Sequence, residues 1–249
     1  MQTAIASELA PQENAISPDP EKLRDELEFI GYLISHDLQA PLRVIQSCCN
    51  DLNKHPGLNA DPAGRETAQT LEHEAERLKT LMQGLLDYVR LDTFVTKDAP
   101  VDLNDAVATA ITTLGAEIQA SGAVIAYEDL PQAMGHRGRL TRLFAYLLDN
   151  AIKFRGSESP RIRISAKRKN KDWELCVKDN GIGIDAEHHE IIFRLFQRLH
   201  TEEAYPGYGI GLGLSRKIVE AHGGSMWVES MTGKGSRFTF TLPVIKNNE

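Results

Sequence analysis

Apolar residues recur at steps of three and four residues along two long segments in the first part of the chain. The first segment starts at Asp19-Pro20-Glu21, where an N-cap residue is followed by a proline and an acid, and ends near Asn53. The second segment runs from about 65 to 92 and contains a heptad seam. The seam consists of Leu71, Ala75, Leu78, Met82, Leu85 and Val89. Because one hairpin cannot hide both apolar stripes, we expect a homodimer in which two helical hairpins form a four-helix bundle.

The rest of the chain alternates between helical and strand patterns after a break at Asp98-Ala99-Pro100. We expect helices near 103–120, 139–154 and 210–222, and strands near 124–128, 161–168, 172–178, 225–230 and 236–242. The predicted fold class is therefore α+β. A flexible tail (1–18) precedes a helical hairpin domain (19–96), and an α/β sandwich with a mostly antiparallel sheet follows (97–249).

Composition narrows the possible classes of protein. The formal net charge of −7 argues against a nucleic-acid partner, and the basic residues between 161 and 171 alternate with apolar ones as on the solvated face of a hairpin. No apolar run approaches the roughly twenty residues of a membrane helix, so we expect no membrane span in this chain. Cys48, Cys49 and Cys176 make no plausible disulfide framework, which favours a reducing cytoplasm.

A histidine beside a carboxylate lies on the first predicted helix. His36 stands two residues from both Ile34 and Leu38, so the helical period points it away from the apolar stripe. A neutral imidazole can attack phosphorus through Nε2 if another group takes the proton from Nδ1, and Asp37 can be that group. An exposed histidine alone would be an ordinary surface residue; the adjacent Asp37 makes this one a candidate nucleophile.

Asn150 and Lys153 lie three residues apart on a predicted helix and therefore share one face. An amide oxygen is a hard ligand of the kind that Mg²⁺ prefers, and a lysine ammonium can neutralise phosphate charge. Taken alone, the pair would be better interpreted as a buried amide and a snorkelling lysine.

Asp179 closes a predicted strand and opens a glycine loop. Its carboxylate can accept a hydrogen bond from the exocyclic amine of adenine, and Gly181 and Gly183 leave room for the backbone to lie against a base. Gly181-x-Gly183-x-x-Ala186 also fits a dinucleotide-binding fingerprint, which belongs to the first strand–helix unit of a parallel sheet. Here the loop follows a predicted hairpin late in the chain, which disfavours that alternative.

Four glycines at alternate positions lead into the last predicted helix: Gly207, Gly209, Gly211 and Gly213. Backbone N–H groups at a helix N-terminus form an anion site suited to a triphosphate, and glycines allow a lid over it. The chain contains no Gly-x-x-x-x-Gly-Lys-Ser/Thr segment, so it is not a P-loop enzyme.

In order and spacing, these segments resemble the H, N, G1 and G2 boxes of the two-component sensor histidine kinases, from about residue 24 to 243. The resemblance implies a HisKA-type dimerisation and phosphotransfer domain followed by a catalytic domain of the GHKL type. It makes His36 the phosphorylated residue, Asp37 its base and Asn150 a Mg²⁺ ligand. The cofactors would be ATP and Mg²⁺, and the phosphoryl group would pass to an aspartate of a response regulator.

The residues around His36 are most similar to the subgroup attached to phytochrome-type sensors, which implies an upstream sensor domain or partner. The family usually has a second asparagine one turn before Asn150, where this chain has Tyr146. Two other classes stay open: a non-catalytic dimeric scaffold that binds ATP, and an ATPase related to the gyrase, MutL and heat-shock chaperone families.

Overall fold

The computed structural model describes residues 41, 43–45, 47–48, 62–93, 99–201 and 204–245. The chain divides into two compact units, 1–74 and 75–249. The predicted tail and most of the first predicted helix, including His36 and Asp37, lie outside the described residues. The described residues between 41 and 48 are helical.

The second predicted helix is confirmed as α1, Pro62–Thr93. Proline at its first position needs no intrahelical partner for its nitrogen and is pre-set to a helical φ. The seam residue Met82 is 49% exposed and the neighbouring Leu86 46% exposed. The predicted domain boundary near residue 97 stays a prediction.

A five-stranded sheet forms one layer of the second unit. Its strands are β2 (Val124–Tyr127), β4 (Arg161–Lys169), β5 (Asp172–Lys178), β6 (Met226–Ser230) and β7 (Ser236–Pro243), in the order β2-β4-β5-β7-β6. Only the β2–β4 pair is parallel among these strands, so the prediction of a mostly antiparallel sheet is confirmed. A two-stranded ribbon of β1 (Ala99–Asp102) and β3 (Gln132–Gly135), which the sequence did not predict, lies outside this sheet.

Helices form the other layer. They are α2 (Leu103–Thr113), α3 (Gly115–Ser121), α4 (Arg137–Lys153) and α5 (Gly211–Ala221). The buried core contains the inner side chains of α2, α4 and α5 together with those of the sheet. The ring of Phe144 on α4 meets that of Phe240 on β7 edge to face, with centroids 5.9 Å apart.

The prediction of one helix over 103–120 was wrong, because the chain leaves the helix at Leu114 (φ −96°, ψ 19°). Thr112 and Thr113 precede this residue and donate their hydroxyls back to the carbonyls four residues earlier. Such bonds and β-branching weaken a helix locally, and Gly115 follows at once. The interruption separates α2 from α3.

A buried histidine joins α5 to the start of α4. The backbone N–H of His136, the N-cap of α4, donates to Nε2 of His222 (3.1 Å), and Nδ1 of His222 lies 2.7 Å from the carbonyl oxygen of Ile218. These contacts hold the last turn of α5 against the first turn of α4.

The basic residues of β4 behave as expected for a hairpin face. Lys167 and Lys169 both pair with Glu174 on β5, at 2.7 and 3.0 Å. Within the described part of the chain, no helix combines the length and apolar character that crossing a membrane requires.

Candidate functional site

A cavity of about 1260 Å³ lies beside α4, bounded by the loops that follow β5 and precede α5. Seven of the residues singled out from the sequence line it: Asn150, Lys153, Asp179, Gly183, Gly207, Gly209 and Gly211. Residues of α1 from Glu76 to Asp87 line the same cavity. The volume is large for a drug-sized ligand and suits a nucleoside triphosphate.

Asn150 and Lys153 reach the cavity from one face of α4. Nδ2 of Asn150 is buried and has no hydrogen-bond partner among the described residues. Such an orphaned polar group is costly unless a ligand satisfies it. The amide can therefore donate a hydrogen bond to a ligand, since none of the described residues accepts one from it.

Lys153 is a partly buried cation at the same wall. Burial lowers the pKa of its ammonium; Asp149 one turn earlier opposes that shift, and the charge of Arg198 adds to it. Its Nζ lies 4.7 Å from the centre of the Phe154 ring. Two cations close together in a partly buried site favour an anionic ligand.

Asp179 anchors the loop at the other end of the cavity. Its side chain is 7% exposed, and its Oδ1 accepts from the N–H groups of Gly181 (2.8 Å) and Ser236 (3.0 Å). Burial raises the pKa of this carboxyl, and the two backbone donors oppose the shift. Among the described residues the hydrogen bonds of Asp179 go to Oδ1, so Oδ2 is left for a ligand.

At two positions of the loop after Asp179, neighbouring backbone lies so close that there is no room for a side chain. A Cβ on Gly181 would meet the carbonyl oxygen of Phe154, and one on Gly183 would meet that of Met231. Gly183 also has a φ of +70°, in the left-handed region. These contacts place Gly181 behind the cavity wall and Gly183 on it.

The glycine-rich segment leads to the N-terminus of α5 at the opposite wall. A Cβ on Gly211 would lie 3.5 Å from atoms of Tyr146, so the start of α5 lies against Tyr146 on α4. Gly213 packs against the backbone of Leu195 and does not line the cavity. The N–H groups at the start of α5 are suited to bind an anion.

Sequence reasoning missed a cluster of three aromatic rings at the cavity. Phe154, His200 and Tyr205 have ring centroids 5.0–6.0 Å apart, and all three line the cavity. Their separation along the chain left no periodic signal. The rings offer an apolar, stackable surface to a ligand in the cavity.

Sequence reasoning also missed three polar side chains at the cavity: Asp87, Arg142 and Asp149. Burial raises the pKa of the Asp149 carboxyl, and the nearby Lys153 opposes the shift. In the described ranges no group of three or more His, Cys, Asp or Glu side chains is placed to hold a metal ion. A cation in this cavity would therefore be coordinated by the amide oxygen of Asn150 and by oxygen atoms of the molecule bound beside it.

The dinucleotide-binding alternative does not fit the structure. Gly181 follows β5, which is antiparallel to both of its neighbours, and the next element is a 3₁₀ turn, Ala186–His188. The fingerprint needs a parallel strand followed by an α-helix.

Comparisons with known proteins agree with this geometry. The family of histidine kinase-, DNA gyrase B- and HSP90-like ATPases matches residues 135–246. Cyanobacterial phytochrome A from Nostoc sp. (strain PCC 7120) is 37% identical over 229 residues, which are 92% of this chain and 30% of the relative. The adaptive-response sensory kinase SasA of Synechococcus sp. is 32% identical over 237 residues, 90% of this chain and 62% of the relative.

A solved structure of histidine kinase ThkA in complex with response regulator protein TrrA has a TM-score of 0.66 at 22% identity, covering 92% of this chain and 66% of that one. At this identity the likeness concerns the fold alone. This chain spans 30% of the length of the first phytochrome relative.

The contact of Gly183 with Met231 generates a stability prediction. Gly183→Ala should lower the free energy of unfolding by the left-handed strain of about 1–2 kcal/mol plus the cost of a backbone clash. Gly223 has a φ of +74° and open space around its Cβ position, so Gly223→Ala should show the strain alone. Gly156→Ala has neither cost and should change stability by less than about 0.5 kcal/mol. Urea unfolding of the three variants measures the order, and equal losses in Gly183→Ala and Gly223→Ala would contradict the clash.

Proposed function

We propose that this chain, which belongs to the two-component sensor histidine kinases, uses ATP to phosphorylate its own His36 and passes the phosphoryl group to an aspartate of a response regulator. The observation that carries the proposal is the cavity between α4 and α5. Within it a buried carboxylate, an unsatisfied amide and a partly buried lysine converge, in the segment that matches the ATPase family. Among the relatives, FilI is named a regulatory histidine kinase and SasA a sensory kinase, and the order of the sequence motifs supports the same chemistry.

The adenine would lie at the Asp179 end of the cavity. Oδ2 of Asp179 can accept from the exocyclic amine, and the rings of Phe154 and Tyr205 offer an apolar surface to the base. The triphosphate would extend toward the N-terminus of α5 and Lys153, where N–H groups and an ammonium meet its charge.

Asn150 would hold Mg²⁺ through its side-chain oxygen, a hard ligand of the kind that this cation prefers. The unpartnered atom is the Nδ2 donor, which suits an acceptor such as a phosphate oxygen. The cation would neutralise phosphate charge when bound. Tyr146 stands where the family has a second amide, and a phenol is a poorer ligand than an amide oxygen for this cation. We therefore expect weaker Mg²⁺ dependence of nucleotide binding than two amides would provide.

The chemistry at His36 follows from its neighbour in the sequence. Asp37 takes the Nδ1 proton while Nε2 forms a bond to the γ-phosphorus, and the bond from that phosphorus to the oxygen of ADP breaks. The product is a phosphoprotein with the phosphoryl group on nitrogen. A regulator aspartate then accepts it, and the imidazole regains its proton.

The chain would act as a homodimer. Met82 and Leu86 expose large apolar surfaces on α1, and the seam continues through Leu78 and Leu85. A second copy would bury this stripe. We further propose control by a sensor domain or sensor protein, because the phytochrome relatives are more than three times the matched length. We also propose a cytoplasmic location, which the cysteine pattern of the sequence favours.

The non-catalytic scaffold and the GHKL-type ATPase are the alternatives to a kinase. With γ-labelled ATP they give different outcomes. A kinase gives labelled protein, a scaffold leaves ATP intact, and an ATPase releases phosphate without labelling the protein.

His36→Gln should abolish the acid-labile, base-stable label that the wild-type protein acquires from γ-labelled ATP, because glutamine has no ring nitrogen to attack phosphorus. ATP binding should persist, since the substitution leaves the cavity intact. His73→Gln, which removes an exposed histidine of α1, is the matched control and should label normally. Full labelling of the His36→Gln protein would contradict the assignment.

Asp179→Asn should weaken ATP binding by roughly 10- to 100-fold, the value of a hydrogen bond to a charged group. The amide oxygen can keep the contacts with Gly181 and Ser236, while the new NH₂ faces the adenine amine and repels it. Calorimetric titration with ATP and GTP measures the change, with Asp172→Asn at the far end of β5 as control. Unchanged ATP affinity with a normal unfolding curve would exclude Asp179 from base recognition.

Leu78→Asp combined with Leu85→Asp should dissociate the dimer, because burial of each leucine contributes roughly 1.5–3 kcal/mol to association. Met82→Asp is a milder variant, since half of the Met82 side chain is exposed and its loss should leave the protomer folded. Thr70→Asp places the same charge at an exposed position off the seam and serves as control. Sedimentation at micromolar concentration decides, and a monomeric wild-type protein would overturn the proposed dimer.

A further inference from the structure

Three polar side chains form a chain of contacts from α1 into the nucleotide cavity. Nη2 of Arg142, on α4, forms an ion pair with Oδ2 of Asp87, on α1, and the same nitrogen donates to the hydroxyl of Tyr146 at 3.0 Å. Asp87, Arg142 and Tyr146 all line the cavity. None of these contacts has a part in the proposed nucleotide chemistry.

The positive charge of Arg142 is offset by the carboxylate of Asp87. Burial disfavours its charged form, but the hydrogen bonds and charges of Asp87 and Tyr146 outweigh that effect and raise the pKa of the guanidinium. The Asp87 side chain is 14% exposed, against 52% for Arg142. Its Oδ1 also accepts from Nε2 of Gln83 at 3.0 Å. The carboxylate is thus held in place on α1 and directed at Arg142.

The ion pair exists because the C-terminal half of α1 packs against α4 and the start of α5. Gly84, one turn before Asp87, forms a notch for Ile210, since a Cβ at Gly84 would lie 2.7 Å from its Cδ1 atom. Ile210 stands between the lid glycines 209 and 211, at the start of α5. On the same side, Nζ of Lys217 lies 5.0 Å from the centre of the Tyr88 ring. A single movement of α1 away from α4 and α5 would therefore break both contacts, the Asp87–Arg142 ion pair and the packing of Gly84 against Ile210.

Arg142 stands at the end of the cavity where the triphosphate would extend. Arg142, Tyr146 and Asn150 follow one another at four-residue steps on α4, so they lie along one face of the helix. Asp179, which would bind the base, lies beyond the other end of this row, where Ile182 donates to the carbonyl of Phe154. From the base end, the row therefore passes Asn150, then Tyr146, which lies against the N-terminus of α5, and ends at Arg142.

We propose that Arg142 is a phosphate-binding cation that Asp87 masks while α1 is seated, and that becomes available to the ATP triphosphate when α1 moves away. The position of the helix thereby sets the affinity for ATP. By thermodynamic reciprocity, ATP favours the position of α1 in which Asp87 and Arg142 are apart. This inference rests on ATP binding in this cavity and adds a residue and a means of control to it.

The test compares Asp87→Asn with the wild-type protein in calorimetric titrations with AMP, ADP and ATP. Asparagine keeps the shape of the side chain and removes the charge that offsets that of Arg142. We expect ATP to bind about five- to twentyfold more tightly, with a smaller gain for ADP and none for AMP, because charge-assisted contacts grow with the number of phosphates. The gain should shrink at high salt, where charge interactions between partly exposed groups are screened.

Repeating the Asp87→Asn substitution in the Arg142→Met variant distinguishes unmasking of Arg142 from the mere loss of a negative charge near the nucleotide. In Arg142→Met the gain on adding Asp87→Asn should disappear, whereas a direct repulsion between Asp87 and the nucleotide would leave it in place. Asp105→Asn is the matched control, since it breaks the Asp105–Arg137 pair (3.6 Å), whose two residues do not line the cavity. It should leave all three affinities unchanged.

The outcomes are distinguishable. Unchanged or weaker ATP binding by Asp87→Asn, or a gain that persists in the Arg142→Met background, would overturn the masking proposal while leaving the kinase function intact. A wild-type protein that binds no ATP would overturn the proposed function and the masking proposal with it. Equal gains for AMP and ATP would show that the substitution acts through the base or the fold and would also overturn it.

Discussion

Burial of one face of α4 against the sheet fixes the rotation of that helix, and the cavity depends on this rotation. The inner face contains Leu140, Leu143, Phe144, Leu147 and Leu148, none more than 1% exposed. At roughly 1.5–3 kcal/mol for each buried side chain, this face outweighs any single polar contact on the other side. Asn150 and Lys153 are held at the cavity even though burial disfavours the charge of Lys153. The apolar face therefore maintains a polar site that would not be stable by itself.

At the opposite end of the cavity, Asp179 fixes the position of its loop as the apolar face fixes the rotation of α4. Its Oδ1 accepts from the N–H groups of Gly181 in the loop and Ser236 at the start of β7, so the loop that would lie against the base is tied to the sheet. The neighbouring backbone passes so near that glycine is required at 181 and 183. The floor of the site is thus set by main-chain contacts, and the opposite wall by side chains of α1 and α4.

The predictable parts of the molecule are those whose signal is local or periodic. The α1 seam, the hairpin of β4 and β5 and the loop at Asp179 each carry their pattern within a short stretch of sequence. The break at Leu114 was missed because the apolar spacing continues across it, while two threonines and a glycine weaken the helix. The β1–β3 ribbon was missed because each strand has only four residues. The contact between Asp87 and Arg142 joins residues 55 positions apart, and nothing in either local pattern indicates it.

The buried His222 has a consequence for the chemistry of a protein that contains eight histidines. The carbonyl of Ile218 can only accept, so Nδ1 of His222 carries the proton; Nε2 must then use its lone pair on the N–H of His136. Both ring nitrogens are committed, and the tautomer is locked by the two helices that it joins. A nitrogen without a free lone pair cannot attack phosphorus, so the His222 imidazole cannot serve as a nucleophile while it keeps both contacts. Selectivity among histidines in such a protein then depends on which lone pairs the fold leaves unused, as well as on distance from the nucleotide.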